Sequence, residues 1–131
     1  MNDKTSTVQH LRERVRHFIQ ERDWEKYHTA KNLSMSIAVE AAELMELFQW
    51  KADRKASSLT RQEKRAVEHE VADIAIYVLD FCNSFGFDLT GAILKKLKHN
   101  ERKYPALLVR GKSHKYTYYR NQARRKKRKT T

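Results

Sequence analysis

The chain has 131 residues, which fits one domain, and a formal net charge of +12. Only three Gly and one Pro interrupt it, and this scarcity of helix breakers favours helices over a sheet. The single cysteine, Cys82, excludes an internal disulfide and a Cys-rich zinc site, and we expect a buried thiol in a reducing, cytoplasmic compartment.

The first predicted helix runs over about residues 7–22. Its apolar residues recur at steps of three and four, which places Val8, Leu11, Val15 and Phe18 on one face. Residues 23–31 break this pattern and predict a structured connection. A second helix is predicted over about residues 32–51, and its apolar stripe is interrupted by a carboxylate: Leu33, Ile37, Glu40, Leu44 and Leu47.

The third predicted helix spans about residues 60–84. Thr60 followed by Glu63 is typical of a capping box, and Gly86 is the predicted stop. Its apolar seam comprises Val67, Val71, Ile74, Val78 and Phe81, and the neighbouring row comprises Glu70, Asp73 and Tyr77. The fourth helix is predicted over 89–103, ahead of Pro105, with Leu89, Ile93 and Leu97 on its buried face. No apolar run is long enough to cross a membrane, and no signal peptide is recognisable.

Four carboxylates form the most informative pattern. Glu40 and Glu43 on the second helix are three residues apart, as are Glu70 and Asp73 on the third, so each pair shares a helical face. If the two helices run antiparallel, the pairs face each other. Carboxylates brought together repel one another, and divalent cations remove that cost. Oxygen ligands favour magnesium, with manganese as a substitute, over zinc.

Two other interpretations of the acidic pairs remain. Glu-x-x-Glu pairs occur by chance on solvated helix faces, although Glu40 here interrupts an apolar stripe. A di-iron bundle requires Glu-x-x-His on two helices. Only Glu25 and His28 have that spacing, and they lie in the predicted connection.

Aromatic and basic residues accompany the carboxylates. Trp50 follows Glu43 by seven residues, about 10 Å along a continuous helix, which is roughly the separation between the phosphates and the base of a nucleotide. Trp24 and Tyr77 are further candidates for stacking on a base, and a role as core or interface anchors is the alternative. Cations and an amide on the fourth helix are candidates for binding phosphate oxygens: Lys96, Asn100 and Lys103.

Taken together, these motifs resemble those of the all-α nucleoside triphosphate pyrophosphatases, the MazG-like superfamily, and within it the dCTP pyrophosphatase branch. The superfamily pattern is Glu-x-x-Glu, a gap, then Glu-x-x-Asp, matched here by Glu40, Glu43, Glu70 and Asp73. Further matching segments over about residues 8–106 are 21–24, 31–33, 43–51, 73–77 and 100–105.

The resemblance implies a four-helix bundle that assembles into a dimer or a dimer-of-dimers tetramer. It implies that the four acidic residues bind magnesium and perform catalysis, and that Trp24 and Trp50 enclose the base, one of them from a neighbouring subunit. It also implies that Tyr77, Lys96 and Asn100 line the nucleotide site. The expected reaction is hydrolysis of a nucleoside triphosphate, dCTP or a modified dCTP, to the monophosphate and pyrophosphate. The expected role of this reaction is to remove unwanted nucleotides from the nucleotide pool.

The basic charge is concentrated at the C-terminus. Residues 110–131 hold ten Lys or Arg and no acidic residue, whereas residues 1–109 hold the other 18 basic and all 16 acidic residues. We therefore predict a catalytic domain over 1–109 and a flexible basic tail over 110–131. A second hypothesis is non-specific nucleic-acid binding by this tail, with Tyr116, Tyr118 and Tyr119 stacking on bases. A third is a non-catalytic nucleotide sensor on the same scaffold.

Overall fold

The computed structural model describes residues 1–50, 58–113 and 117–119, and these residues form helices and no strand. The described residues up to 113 form five α-helices: α1 (Val8–Gln20), α2 (Ala30–Glu46), α3 (Arg61–Phe85), α4 (Leu89–Lys103) and the short α5 (Ala106–Val109). The predicted all-α class and the four long helices are confirmed. None of the described helices has the length and apolar character needed to span a membrane.

Side-chain caps fix where α1 and α2 begin. The Thr7 hydroxyl accepts a hydrogen bond from the His10 backbone N–H at 3.1 Å, and the Thr29 hydroxyl accepts one from the Asn32 N–H at 3.3 Å. These bonds satisfy donors that have no partner inside the first helical turn. Between the helices, Glu25–Tyr27 forms a 3-10 turn, so the predicted structured connection is confirmed.

α2 is shorter than predicted. It ends at Glu46, and residues 47–50 form turns instead of the helix predicted to residue 51. The backbone N–H of Phe48 donates to the Met45 carbonyl at 3.1 Å, a tightened i to i−3 bond that ends the α-helical ladder. Phe and Trp are weaker helix formers than the residues before them. Residues 51–57 lie outside the described part of the chain.

Both predicted ends of α3 are confirmed. The Thr60 hydroxyl accepts from the Glu63 N–H at 3.2 Å, and the Glu63 carboxylate accepts from the Thr60 N–H at 2.7 Å, which completes a capping box. At the other end, Gly86 caps the helix with φ of 66°, a left-handed conformation that glycine adopts without a steric penalty.

The chain divides into two compact units, residues 1–89 and 90–131. In the first unit, α2 and α3 pack along each other and α1 packs on α3. The start of α2 lies beside the end of α3, because His28 contacts Asp80, so the two helices are antiparallel as the acidic pairs required. Where the structure describes this unit, its buried apolar residues are Ile19, Leu33 and Cys82.

Large apolar side chains remain exposed on these helices. Val8, Leu11 and Phe18 on one face of α1 are 40–45% exposed, and Ile19 is the buried residue of this helix. The predicted buried face of α4 is wrong, because Ile93 and Leu97 are about half exposed and none of the residues of α4 is buried. Contiguous exposed apolar surface marks association sites. The predicted tail boundary at residue 109 stays a prediction, since residues 120–131 lie outside the described residues.

Candidate metal centre

Three of the four predicted acidic residues converge between α2 and α3. One carboxylate oxygen each of Glu40, Glu43 and Glu70 lies within 4.8 Å of the others. Glu40 and Glu70 are half-buried, whereas Glu43 is exposed. The spacing of three residues on each helix and the antiparallel packing produce this arrangement, because they bring one face of each helix to the same seam.

The cluster concentrates negative charge. Burial raises the pKa of Glu40 above its usual value, and the charges of Glu43, Asp73 and Glu70 raise it further. Asp73 is not one of the three converging residues, yet its charge acts on Glu40. Among the described residues, no Lys or Arg forms an ion pair with the four carboxylates.

A divalent cation fits this arrangement. The donor atoms are all carboxylate oxygens, which hard cations such as Mg²⁺ and Mn²⁺ prefer. No side-chain cation among the described residues compensates the charge, so a bound metal ion would relieve the repulsion that raises the pKa of Glu40. Glu40, Glu43 and Glu70 are the residues placed to hold such an ion, with Asp73 beside them.

The two tryptophans lie at opposite ends of α2. Trp24 precedes the helix and packs its ring against Phe18, with a centroid distance of 6.0 Å. Trp50 follows the helix and is 90% exposed. α2 has 17 residues and is therefore about 25 Å long.

The remaining predicted site residues fall into both units. Tyr77 is half-buried on the same face of α3 as Asp73. Lys96, Asn100 and Lys103 all lie on α4, in the second unit. On that helix Lys96 is exposed, and Asn100 and Lys103 are half-buried.

A contact between a histidine and a buried aspartate was missed in the sequence. The Nδ1 atom of His28 contacts a carboxylate oxygen of Asp80, and their side chains are only 15% and 6% exposed. Asp80 follows the apolar run Ile74–Leu79, and a charge in such surroundings requires a partner. That rule could have identified Asp80, but not His28, which is 52 residues away in sequence.

Comparison with known proteins places these motifs in context. A model of the MazG-like family matches residues 35–118. The chain is 38% identical over 113 residues to dCTP pyrophosphatase 1 of Homo sapiens and to that of Bos taurus. These matches cover 85% of this chain and 66% and 67% of the two relatives, so the chain spans about two thirds of their length.

A solved structure is similar as well. It is a pyrophosphatase from Archaeoglobus fulgidus, 38% identical, with a TM-score of 0.68. The match covers 80% of this chain and 98% of that one. The helical arrangement described above is therefore shared with an experimentally determined structure.

Proposed function

The chain belongs to the MazG-like family, and we propose that it is a nucleoside triphosphate pyrophosphohydrolase that converts dCTP, or a modified dCTP, to the monophosphate and pyrophosphate. The observation that carries this proposal is the convergence of Glu40, Glu43 and Glu70 between α2 and α3. The relatives named dCTP pyrophosphatase 1 and the pyrophosphatase structure support the reaction class. Removal of unwanted deoxynucleotides from the nucleotide pool is the proposed role.

We assign the acidic cluster to Mg²⁺, with Mn²⁺ as a substitute. The ion would be held by Glu40, Glu43, Glu70 and Asp73. When bound, it would neutralise charge on the triphosphate oxygens and polarise the α-phosphorus. By holding the ion, the four carboxylates would fix the place of the phosphates on the α2–α3 seam. This fixed position favours in-line attack, since positioning is a large part of catalysis in phosphoryl transfer.

A carboxylate of the cluster is also suited to accept a proton from the attacking water. Glu43 is the exposed member of the three, so water reaches it most easily. The water oxygen would form a bond to the α-phosphorus, and the bond from the α-phosphorus to the bridging oxygen would break. Pyrophosphate would leave with that oxygen.

The nucleotide would extend from the cluster along the aromatic residues. Trp24, Trp50 and Tyr77 are the proposed contacts to the nucleoside, and Lys96, Asn100 and Lys103 the proposed contacts to phosphate and sugar oxygens. Because Trp24 and Trp50 of one chain lie at opposite ends of α2, we propose that the second tryptophan comes from a neighbouring subunit of a homodimer or homotetramer. The exposed apolar side chains of α1, such as Leu11 and Phe18, support this assembly.

A product assay tests the proposal. The purified full-length chain is incubated with Mg²⁺ and a panel of canonical and 5-modified deoxynucleoside triphosphates, and the products are separated by ion-exchange chromatography. We expect dCMP and pyrophosphate from dCTP. Release of dCDP and orthophosphate would place the cut at the wrong bond. Binding of dCTP without turnover of any triphosphate would favour the nucleotide sensor.

A further inference from the structure

The second compact unit carries the excess positive charge of the chain. Residues 90–131 hold fifteen Lys or Arg and a single acidic residue, Glu101, whereas residues 1–89 hold 13 basic and 15 acidic residues. Five of the fifteen cations lie on α4, which the structure describes over its whole length. The positive charge of this unit therefore begins on a helix and does not depend on the C-terminal residues alone.

The cations of α4 form two rows on different faces of the helix. One row was proposed above to contact the nucleotide and comprises Lys96, Asn100 and Lys103. In the second row, Lys95, Lys98 and Arg102 follow one another at steps of three and four. At 3.6 residues per turn, the two rows lie roughly a third of a turn apart around the helix, so they face different directions. The second row therefore has no role in the proposed hydrolysis.

The charge of the second row is not compensated within the described part of the chain. Its three side chains are exposed, and none of the described acidic residues forms an ion pair with them. Like charges at steps of three and four on a helix repel each other. The helix dipole favours Arg102 in the last turn of α4, but it does not favour Lys95 and Lys98 in the same way. A row of this kind suits a ligand with several negative charges.

The length of the row matches a short stretch of phosphate backbone. Lys95 and Arg102 are seven residues apart, which is about 10 Å along the helix. One strand of DNA carries a phosphate for about every 3.4 Å of axis, so about three phosphates fall within this length. Tyr104 is close to the row in sequence and 36% exposed, and exposed aromatic rings stack on unpaired bases. The aromatic ring favours a single strand over a duplex.

A membrane surface fits the row less well. The apolar residues Ile93 and Leu97 lie nearly opposite the row around α4. A helix that lies on a membrane buries its apolar face among the headgroups, so the row would point away from the lipid phosphates. The same geometry leaves the row accessible when the apolar face packs on protein.

We propose that Lys95, Lys98 and Arg102 bind the phosphates of a single-stranded nucleic acid. This row is the helical part of an interface that the basic residues 110–131 extend. The interface is separate from the acidic cluster, and it does not rest on the proposed hydrolysis. Because the contacts are to phosphate, binding depends on salt and little on base sequence.

A triple variant of the full-length chain tests this proposal. Lys95→Gln, Lys98→Gln and Arg102→Gln are combined, because Gln removes the charge and keeps a high helix propensity. Binding of a fluorescent oligothymidylate is measured by anisotropy at several salt concentrations. We expect the slope of log K against log salt to become shallower by about 2, which is about 0.7 for each of three phosphates. Pyrophosphate release from dCTP should stay unchanged, because none of the proposed site residues is altered.

A matched control removes the same number of charges from another helix. Arg61→Gln, Lys64→Gln and Arg65→Gln change three exposed cations at the start of α3, and this variant should keep the wild-type slope. An equal change in both triple variants would show that net charge and not the row determines binding, and would overturn the proposal. Unchanged binding of oligothymidylate by the α4 variant would also overturn it. If that variant instead lost binding to vesicles of an anionic phospholipid, the partner of the row would be a membrane.

A measurement on the wild-type chain does not depend on how the variants fold. Exposed lysines are acetylated by a short pulse of reagent with and without oligothymidylate, and the modified positions are quantified by mass spectrometry. We expect the oligonucleotide to protect Lys95 and Lys98 and to leave Lys64 unprotected. Equal acetylation of Lys95 and Lys98 in both samples would show that the strand does not lie on α4.

Discussion

Glu40 occupies a position on α2 where an apolar residue would ordinarily be expected. It is half-buried between Ile37 and Leu44 of the same stripe and faces the other carboxylates of the cluster. Its raised pKa shows that the folded chain disfavours its charged form, first through burial and then through its acidic neighbours. A residue with this cost points to function and not to the stability of the metal-free chain.

Glu40→Gln separates these two contributions. The variant keeps the shape of the side chain and removes one negative charge, so the metal-free variant should melt at the same temperature as the metal-free wild type or higher. Mg²⁺ should raise its melting temperature less than that of the wild type, because stabilisation by a ligand follows its affinity. Pyrophosphate release should fall by orders of magnitude. Thermal scans with and without Mg²⁺ and one product assay measure all three effects.

Either of two outcomes would contradict the assignment of Glu40 as a metal ligand. If the variant were active, or equally destabilised with and without Mg²⁺, other side chains would satisfy the Glu40 carboxylate. Glu46→Gln is a suitable control, because Glu46 is an exposed residue of α2 outside the three converging carboxylates. It should change neither the response to Mg²⁺ nor turnover.

Cys82 shows the effect of burial on a thiol. It is 1% exposed, and burial raises its pKa above the ordinary 9.0 against the opposing effect of the Arg12 guanidinium. Because the unfolded chain loses this proton at lower pH than the folded chain, the free energy of unfolding should fall as the pH rises above 9.0. Denaturant unfolding from about pH 7 to about pH 10 tests this, and the fall should be smaller in Cys82→Ala. Equal pH dependence in both chains would contradict it.

At the scale of the helices, local hydrogen bonds set the boundaries. The capping box of Thr60 and Glu63 satisfies donors at the start of α3, the helix that carries Glu70 and Asp73. Thr60→Ala should reduce the free energy of unfolding by about 1 kcal/mol, the usual effect of losing an N-cap, and Thr60→Ser should preserve most of it. Denaturant curves measure both. We expect kcat to change little, because the cap lies almost three turns before Glu70. A large loss of kcat in Thr60→Ala would show that the start of α3 helps to shape the site.

The sequence predicted those features of the helices that depend on neighbouring residues. The start of α3 and its end at Gly86 follow from side chains within a few positions, so both were predictable. The end of α2 was not, because a continuing apolar pattern does not show where the backbone turns. The acidic cluster was predictable from spacing on two helices. The His28–Asp80 pair joins residues 52 positions apart, and no local pattern connects them.

At the scale of the whole molecule, the proposed contact of Trp24 and Trp50 with one base predicts an assembly of subunits. If each site combines Trp24 of one subunit with Trp50 of another, Trp24→Ala and Trp50→Ala should each weaken dCTP binding by about 1–3 kcal/mol. Mixing the two variants after reversible dissociation should restore some wild-type sites. For a symmetric dimer, half of the mixed dimers are heterodimers, and each heterodimer has one intact site, so about a quarter of the sites recover.

The mixing experiment has a clear opposite outcome. If both tryptophans of a site came from one chain, no mixture would contain an intact site and KM would stay high. Kinetic titration of the mixture resolves the two cases, because the recovered sites saturate at the wild-type dCTP concentration. Sedimentation of the same samples checks that each variant still assembles.

The basic C-terminal segment is the remaining feature of the whole chain. Seven of the ten cations of residues 110–131 fall within residues 120–131. These residues lie outside the described part of the chain, so the role of the segment is argued from the sequence. The family match extends to residue 118, and Tyr119 is only 8% exposed. Tyr119 is therefore unsuited to the stacking on bases predicted for it, and a deletion from residue 110 would remove part of the matched region.

Deletion of residues 120–131 should therefore leave dCTP hydrolysis nearly unchanged and remove most of the salt-dependent binding to single-stranded DNA. The slope of log K against log salt should become shallower by about 0.7 for every phosphate that the deleted residues neutralise. Replacement of the basic residues 124–129 by Gln is the matched control, because it keeps the length and removes six charges. Fluorescence anisotropy at several salt concentrations measures the slope. If both variants bound DNA as the full chain does, the cations responsible for binding would lie before residue 120. If only the deletion variant lost catalysis, the length of the segment and not its charge would support the catalytic site.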